Sequence, residues 1–299
     1  MDVAITGASG LIGRALTASL RGDGHRVVAF RRGGVTEGDT IGWDPDAGRI
    51  DAPALEGLDA IVHLAGEGIA EKKWSEDHKR RIRDSRVRGT AALAAAIASR
   101  ERKPRVLVSG SAIGFYGNSG DEVLTEESAA GSDFLAEVAK AWEAETAPAT
   151  EAGVRTVLTR TGIVLAGHGG ALKSMLLPFK LGIGGRQGSG KQWMSWIALD
   201  DEVGAIRFAI ENETVSGPVN LVAPNPVTNA EFAATLGRVL HRPTFLPTPM
   251  LPLKLRYGTE LVETLLLVSQ RVAPAQLQAA GYPFAFASLE DALRAAIRT

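Results

Sequence analysis

Three glycines spaced three residues apart, Gly7, Gly10 and Gly13, follow a short apolar run and open an amphipathic stretch. Glycine in such a turn adopts positive φ and lets a phosphate approach the backbone closely. A helix that starts there offers an anion unpaired N–H groups and the positive end of its dipole. The turn therefore predicts a pyrophosphate-binding site formed by Gly7, Gly10, Leu11, Ile12 and Gly13. A tight turn without a ligand is the alternative, and the alternating pattern around it favours the site.

Two arginines, Arg31 and Arg32, stand where the second apolar run ends. In an NAD-binding unit, an acidic residue about 20 residues past the glycines accepts a hydrogen bond from the ribose 2′-hydroxyl. A carboxylate would repel a 2′-phosphate, whereas guanidinium groups bind it through charge-assisted hydrogen bonds. The pair predicts NADP(H) rather than NAD(H) as cofactor. Two arginines that only solvate a loop are the alternative.

Ser111 and Tyr116 are the candidate catalytic residues. Ser111 follows a predicted strand at the carboxyl edge of the sheet, where ligands of open α/β sheets bind. Its hydroxyl could bind a substrate carbonyl or satisfy a turn amide, and the two alternatives stay open. Tyr116 could be a general acid if a cation lowered its pKa, or it could pack on the cofactor or in the core. The chain has no cysteine, and no histidine and carboxylate cluster has metal-ligand spacing, so no metal is predicted.

The elements that must position these residues alternate along the first two thirds of the chain. Short apolar runs predict strands at 3–5, 27–30, 60–64, 106–108 and 154–160. Amphipathic stretches predict helices at 11–20, 76–100 and 133–150. This order is typical of an α/β fold, a Rossmann-type doubly wound parallel sheet with a smaller C-terminal lobe.

The regular alternation of apolar runs and amphipathic stretches ends after about Gly162. Residues 182–190 contain five glycines and are too irregular for a regular element. Prolines then punctuate the stretch from Pro243 to Pro252, and a helical region follows. We predict an NADP(H)-binding Rossmann-type domain over 1–240, in which 170–240 contributes to a substrate-side lobe. Residues 241–299 are predicted to form a C-terminal helical segment.

Composition narrows the class of partner. The 299 residues include 33 basic and 34 acidic side chains, a net charge of −1, which points to neither nucleic acid nor a membrane as partner. No apolar run reaches the roughly 18 to 20 residues that span a bilayer, and no signal peptide is recognised. We expect a cytoplasmic monomer or homodimer that acts on a small-molecule substrate.

The motifs together resemble a known family. The glycine turn and residues 59–66 resemble the extended short-chain dehydrogenase/reductases, the NAD-dependent epimerase/dehydratase group, as do 109–117 and 196–201. The match is nearer to an atypical branch, the YfcH-like epimerase family proteins with an extra C-terminal segment. That branch is matched by Gly66-Glu67, Trp74, Ser85-Arg86, 121–126, Trp142-Glu143, Leu177-Pro178-Phe179 and 269–282.

This resemblance implies roles for further residues. Extended members carry a Tyr-x-x-x-Lys pair on the helix after the serine strand, and here Leu135 and Ala139 stand at those places. Neither can exchange a proton, and Lys140 points about 100° away around the helix. The resemblance puts Arg86 where the family usually has asparagine.

The same resemblance predicts cofactor contacts from Arg86, which could meet a phosphate or ribose, and from Leu64, Ala65 and Gly66 after the strand at 60–64. Arg160 ends a strand at the same edge. It either contacts the cofactor or pairs with an acid on a helix.

Two functions remain open. One is an NADP(H)-dependent oxidoreductase or nucleotide-sugar epimerase-like enzyme of unknown substrate, without the usual tyrosine and lysine. Ser111 and the segment around Trp196 favour it. The other is an NADP(H)-sensing binding or regulatory protein, which the substitution of the Tyr/Lys pair favours. An adaptor without nucleotide fits poorly with an intact glycine turn.

Overall fold

The computed structural model describes residues 1–298. Their strands are β1 (Asp2–Thr6), β2 (Arg26–Arg32), β3 (Thr40–Asp44), β4 (Arg49–Ile50), β5 (Ala60–His63), β6 (Val106–Ala112), β7 (Val123–Leu124), β8 (Arg155–Thr161), β9 (Ile163–Leu165), β10 (Trp193–Met194), β11 (Trp196–Ala198), β12 (Gly217–Leu221), β13 (Val227–Thr228) and β14 (Arg271–Val272). Their α-helices are α1 (Leu11–Gly22), α2 (Glu76–Ala98), α3 (Phe134–Ala144), α4 (Ala147–Glu151), α5 (Gly170–Lys180), α6 (Leu199–Glu211), α7 (Asn229–Leu240), α8 (Met250–Tyr257), α9 (Thr259–Leu261), α10 (Ala275–Ala279) and α11 (Leu289–Arg298). Short 3₁₀ turns cover Ala52–Leu55 and Ile113–Tyr116, and a π-helical turn, Val262–Leu266, follows α9.

Eight of these strands form one sheet in the order β12-β8-β6-β5-β1-β2-β3-β4. All neighbours are parallel except β3 and β4. The chain winds outward from β1 in both directions, first through β2 and β3 and then through β5, β6, β8 and β12. This topology confirms the predicted doubly wound Rossmann-type sheet.

Both faces of the sheet are covered. Val3 and Ile5 of β1 belong to the core that α1 and α6 complete, whereas Ala4 belongs to the core beneath α2. Successive residues of a strand point to opposite faces, so a strand buried on both sides must be apolar throughout. That requirement explains the uninterrupted apolar runs by which the central strands were predicted.

Several elements differ from the prediction, among them β3, β12 and α3. Strands β3 and β12 were not predicted, since their sequences, TIGWD and GPVNL, mix glycine and polar residues with few apolar ones. The helix predicted over 133–150 is two helices, α3 and α4. The second starts at Ala147 with Pro148 in its first turn, where a proline without an N–H is tolerated.

The last part of the chain is held against the first. Strand β14 pairs in parallel with β7, and α11 packs on α7. Leu277 lies fully buried in the core beneath α1 and α6, and Leu293 lies fully buried in a second core beside α7. Helix α8, by contrast, buries none of its residues. Within residues 1–298, no helix has the length and apolar character that crossing a membrane requires.

Candidate functional site

The glycine turn joins β1 to α1 at the centre of the sheet. Gly7 has φ of 68°, and Gly10 is the N-cap of α1, where no side chain makes a cap hydrogen bond. A Cβ on Gly13 would lie 2.2 Å from the Gly7 carbonyl oxygen, so the fold itself requires glycine there. A Cβ on Gly10 would meet only that same oxygen, at 3.2 Å, and Gly10 is exposed. The space in front of Gly10 and the start of α1 is therefore open to a phosphate.

Thr6 ties this turn to the loop after β5. Its Oγ1 accepts hydrogen bonds from the N–H groups of Leu64, at 3.0 Å, and Ala65, at 3.1 Å. A Cβ on Gly7 would lie 2.9 Å from the Leu64 carbonyl, so the two segments are in close contact. The structure thus places the predicted residues Leu64 and Ala65 beside the turn.

His63 is a core residue. Its ring nitrogens contact Thr6 Oγ1 at 2.7 Å and Thr90 Oγ1 at 3.0 Å. Complete burial lowers the pKa of His63 to about 4, so the ring is neutral near pH 7. His63 therefore holds the two segments in place and is not a ligand-binding cation.

Arg31 and Arg32 extend from the end of β2 and are exposed. Arg31 forms no ion pair with the residues that the structure describes, and Arg32 lies 3.7 Å from Asp46, on the surface. A cleft of about 380 Å³ is lined by Arg32, Glu67 and Ser85, among others. It connects the end of β2 with the loop after β5, the two places at which the sequence predicts cofactor contacts.

Arg86 projects from α2 toward that loop. Its Nη1 donates to the carbonyl oxygens of Glu67 at 3.0 Å and Ile82 at 3.1 Å, and its guanidinium lies 5.1 Å from the centre of the Trp142 ring. A Cβ on Gly66 would come within 3.1 Å of it. Burial lowers the pKa of Arg86 to about 10, with the charge of Glu67 opposing the effect. Arg86 therefore remains a cation at pH 7, beside Gly66, with no carboxylate of the described chain within salt-bridge distance.

Ser111, Glu143 and Arg160 form a hydrogen-bonded chain between β6, α3 and β8. Ser111 Oγ donates to Glu143 Oε1 at 2.6 Å. Arg160 donates to both carboxylate oxygens at 2.9 Å, and the two side chains are 4% and 9% exposed. The ion pair with a helix acid, one of the two alternatives for Arg160, is therefore the one that forms. The Arg160 guanidinium is thus buried and paired, and its contact with the cofactor stays a prediction.

Tyr116 lies deeper in the same network. Its hydroxyl donates to Asn220 Oδ1 at 2.6 Å and accepts from Arg160 Nη1 at 3.0 Å. The cationic neighbour that a general acid would need is present, but burial outweighs it and the pKa of Tyr116 is raised. With 2% of its surface exposed, Tyr116 is packed in the core as the alternative prediction had it. Its hydroxyl is thus engaged by Asn220 and Arg160, and a catalytic role for Tyr116 stays a prediction.

Helix α3 faces the end of β6 with apolar side chains. A Cβ on Gly114 would lie 3.4 Å from Leu135 Cβ, and Ala139 is buried. Lys140 pairs with Glu137 at 2.6 Å on the exposed side. The residues that α3 presents to Ser111 therefore include one that can exchange a proton, Glu143.

In the sequence, Glu143 stands out only as part of the Trp142-Glu143 motif of the family resemblance. A signal was available, since Glu143 follows Ala136 and Ala139 at intervals of seven and four residues and thus shares their buried face. An acid in such a stripe indicates a buried partner. Asn220 gave no comparable signal, because it lies on the unpredicted strand β12.

A glycine turn at the central strand, open at a helix N-terminus and flanked by arginines, defines a dinucleotide-binding α/β protein. The family model for the NAD dependent epimerase/dehydratase family matches residues 3–222. A second family model, for a domain of unknown function (DUF1731), matches residues 248–296. The chain therefore belongs to the NAD dependent epimerase/dehydratase family, which confirms the resemblance in its motifs.

The similarity to known proteins covers nearly the whole chain. Epimerase family protein Mb2239 of Mycobacterium bovis is 45% identical over 291 residues, covering 97% of this chain and 96% of that protein. The crystal structure of human epimerase family protein SDR39U1 (isoform 2), solved with NADPH, has a TM-score of 0.90 at 35% identity and covers 100% of this chain and 99% of the human one. UDP-glucose 4-epimerase of Thermus thermophilus, in complex with NAD, has a TM-score of 0.76 at 18% identity, covers 100% of this chain and 99% of its own, and shares the fold.

Proposed function

We propose that this protein binds NADP(H) and catalyses hydride transfer on a small polar substrate, as an oxidoreductase or epimerase-like enzyme. The observation that carries the proposal is the 2.6 Å hydrogen bond from Ser111 to Glu143 at the carboxyl edge of the sheet. It supplies a pair of groups that can move a proton at the edge where an open α/β sheet binds its ligands.

The residues fit NADP(H). The open space before Gly10 suits a pyrophosphate at the N-terminus of α1. The exposed guanidinium of Arg31 has no ion pair with the described residues and is available to bind a 2′-phosphate. Arg86 supplies a partly buried cation next to Gly66. The human relative, 35% identical over 99% of its chain, was solved with NADPH, which supports the same choice here.

We assign proton transfer with the substrate to Ser111 and Glu143. When bound, NADP(H) accepts or supplies the hydride at the substrate carbon. In the oxidation direction, the substrate hydroxyl gives its proton to Ser111 Oγ while Ser111 gives its own to Glu143 Oε1, and in reduction both transfers reverse. The two hydrogen bonds from Arg160 fix the position of the carboxylate. This relay would replace the family's tyrosine and lysine, whose places Leu135 and Ala139 occupy.

A panel of aldehydes, ketones and nucleotide sugars with NADPH tests the proposal. Turnover of at least one class is expected, and Ser111→Ala should lower it by roughly 10²-fold, the usual size of an acid–base contribution. Because Ser111→Ala leaves the ion pair between Glu143 and Arg160 intact, the variant should keep its fold and its cofactor affinity. Turnover that survives Ser111→Ala unchanged would remove Ser111 from the mechanism.

An NADP(H)-sensing binding protein is the second candidate, favoured by Leu135 and Ala139 at the family's catalytic places. It predicts tight NADP(H) binding by calorimetry with no turnover across the panel. Cofactor binding together with turnover would exclude it as the sole function.

A further inference from the structure

Exposed apolar side chains are concentrated in one region. Among the residues that the structure describes, nine large hydrophobic side chains are exposed, and seven of them lie in two segments, 170–199 and 232–259. The first segment contributes Leu177, Leu181 and Ile183, each between 58% and 66% exposed. These residues follow one another at the end of α5 and in the turn after it.

The second segment contributes a loop and helix α8. Phe245 is 80% exposed, and Leu246 is 52% exposed. In α8, Leu251 and Leu255 are 69% and 75% exposed, and their spacing of four puts them on one side of the helix. Because α8 buries none of its residues, the contacts of the fold do not explain its two outward leucines.

Hydrogen bonds join the two segments into one surface. Arg242 Nε donates to the Lys180 carbonyl at 2.9 Å, at the end of α5. Thr248 donates from its N–H to Arg186 O at 2.8 Å and from its hydroxyl to Gly185 O at 2.9 Å. Helix α8 starts two residues after Thr248. We call the exposed side chains of these two segments the basic apolar face.

The charged side chains within these two segments are all basic. Segments 170–199 and 232–259 contain eight lysines and arginines and no aspartate or glutamate, although the whole chain has 33 basic and 34 acidic residues. Two of the eight pair with acids from elsewhere, Arg238 with Glu290 and Lys254 with Glu263. The other six form no ion pair with any described residue; they are Lys173, Lys180, Arg186, Lys191, Arg242 and Arg256.

We propose that the basic apolar face docks the protein on an anionic phospholipid bilayer. Leucine and phenylalanine side chains would enter the boundary between headgroups and acyl chains, while the unpaired cations contact lipid phosphates. A protein partner fits less well, because charged residues are depleted at the core of protein–protein interfaces and these apolar side chains protrude from two helices and two loops among cations. The whole-chain charge of −1 predicts no membrane partner, but that sum conceals the separation of charge within the fold.

Vesicle co-sedimentation of the full-length protein tests this docking. We expect binding to vesicles of phosphatidylcholine mixed with phosphatidylglycerol, little binding to phosphatidylcholine alone, and loss of binding at high salt. The double variant Leu251→Ser/Leu255→Ser should bind the mixed vesicles at least roughly tenfold more weakly. The charge reversal Lys180→Glu/Arg242→Glu should weaken binding similarly.

The control is Val35→Ser/Val123→Ser, which removes the two exposed apolar side chains outside the face and should bind as the parent does. Thermal melts establish that each variant is folded. Equal binding to both kinds of vesicle, or no binding to either, would overturn the proposal. So would a dimer in sedimentation velocity that Leu251→Ser/Leu255→Ser converts to monomer, because the face would then be a contact between two copies of this chain.

Discussion

Ser111 Oγ donates a hydrogen bond to Glu143 Oε1 at 2.6 Å, although the two residues lie on a strand and a helix 32 positions apart. The bond occupies the only proton of the serine hydroxyl. While Glu143 is ionised, Ser111 therefore meets a ligand as an acceptor, and it becomes a donor only when Glu143 holds a proton. Whether the site can donate or accept a proton therefore depends on Ser111 and Glu143 together.

Glu143→Gln should abolish this exchange. The amide can still accept from Ser111, but it cannot take up a proton, so we expect kcat to fall by roughly 10²-fold with little change in the Kd for NADPH. Steady-state kinetics and calorimetry on the same preparation measure the two effects. The matched control is Glu137→Gln, which lies on the exposed side of the same helix. Equal kcat in both variants would show that Glu143 only stabilises the fold.

Tyr116→Phe should act mainly on stability. The change leaves Asn220 Oδ1 without its buried donor, and such a loss costs about 1–3 kcal/mol, whereas Arg160 Nη1 keeps the Glu126 carbonyl oxygen as an acceptor at 3.3 Å. Urea unfolding measures it, and kcat for any substrate found should change by much less than in Ser111→Ala. A kcat loss of roughly 10²-fold with unchanged stability would instead restore Tyr116 as the proton donor that the sequence suggested.

Cofactor preference should reside in Arg31 and Arg32. We expect NADP(H) to bind at least tenfold more tightly than NAD(H), which corresponds to about 1.4 kcal/mol. Arg31→Ala should remove most of this difference, because Arg31 has no carboxylate partner in the described chain, while leaving NAD(H) affinity nearly unchanged. Calorimetric titration with each cofactor measures the two dissociation constants. Equal dissociation constants for NADP(H) and NAD(H) in the parent protein would refute the prediction.

Gly10→Val should remove cofactor binding while sparing the fold. A Cβ at this position meets only the Gly7 carbonyl oxygen, at 3.2 Å, but a branched side chain would fill the space that the pyrophosphate needs. Thermal melts with and without NADP(H) report binding, since a ligand of the native state raises its stability. Gly22→Val is the control, as a Cβ there has no atom within 4 Å. A normal thermal shift in Gly10→Val would place the site elsewhere.

Glu202 should give the fold a pH-dependent stability. Its Oε1 accepts from the Thr161 hydroxyl at 2.8 Å, its Oε2 has no partner among the described residues, and burial raises its pKa from 4.5 to about 8. The folded protein therefore keeps a proton that the unfolded chain releases between these two values. Since the native state binds more protons, the free energy of unfolding should decrease as pH rises through that window and level off above it.

Glu202→Gln should flatten this decrease. Glutamine retains an oxygen that accepts from Thr161 and cannot ionise, whereas the control Glu211→Gln alters an exposed acid of the same helix. Urea denaturation at a series of pH values measures both slopes. Identical slopes in the two variants would mean that Glu202 is ionised in the native state.

The sequence predicted the parts of this protein that depend on local patterns. Gly10 and Gly13 follow from the geometry that a phosphate turn requires, and the buried central strands follow from burial on both faces of the sheet. The partner of Ser111 did not follow, because contact between β6 and α3 is a matter of tertiary packing. The side chain of Arg160 likewise had two possible partners until the position of α3 selected one.

The placement of the C-terminal segment has a consequence for synthesis of the chain. Leu277 completes the core beneath α1 and α6, and Leu293 completes a second core beside α7. Helix α1 leaves the ribosome long before either leucine does, so both cores stay open until the segment that carries these leucines has been made. Domains otherwise tend to fold from the N-terminus during synthesis, and their exposed apolar surface is open to aggregation meanwhile. A late segment thus closes cores begun by an earlier one, so a product interrupted before Leu277 would expose apolar surface from both cores.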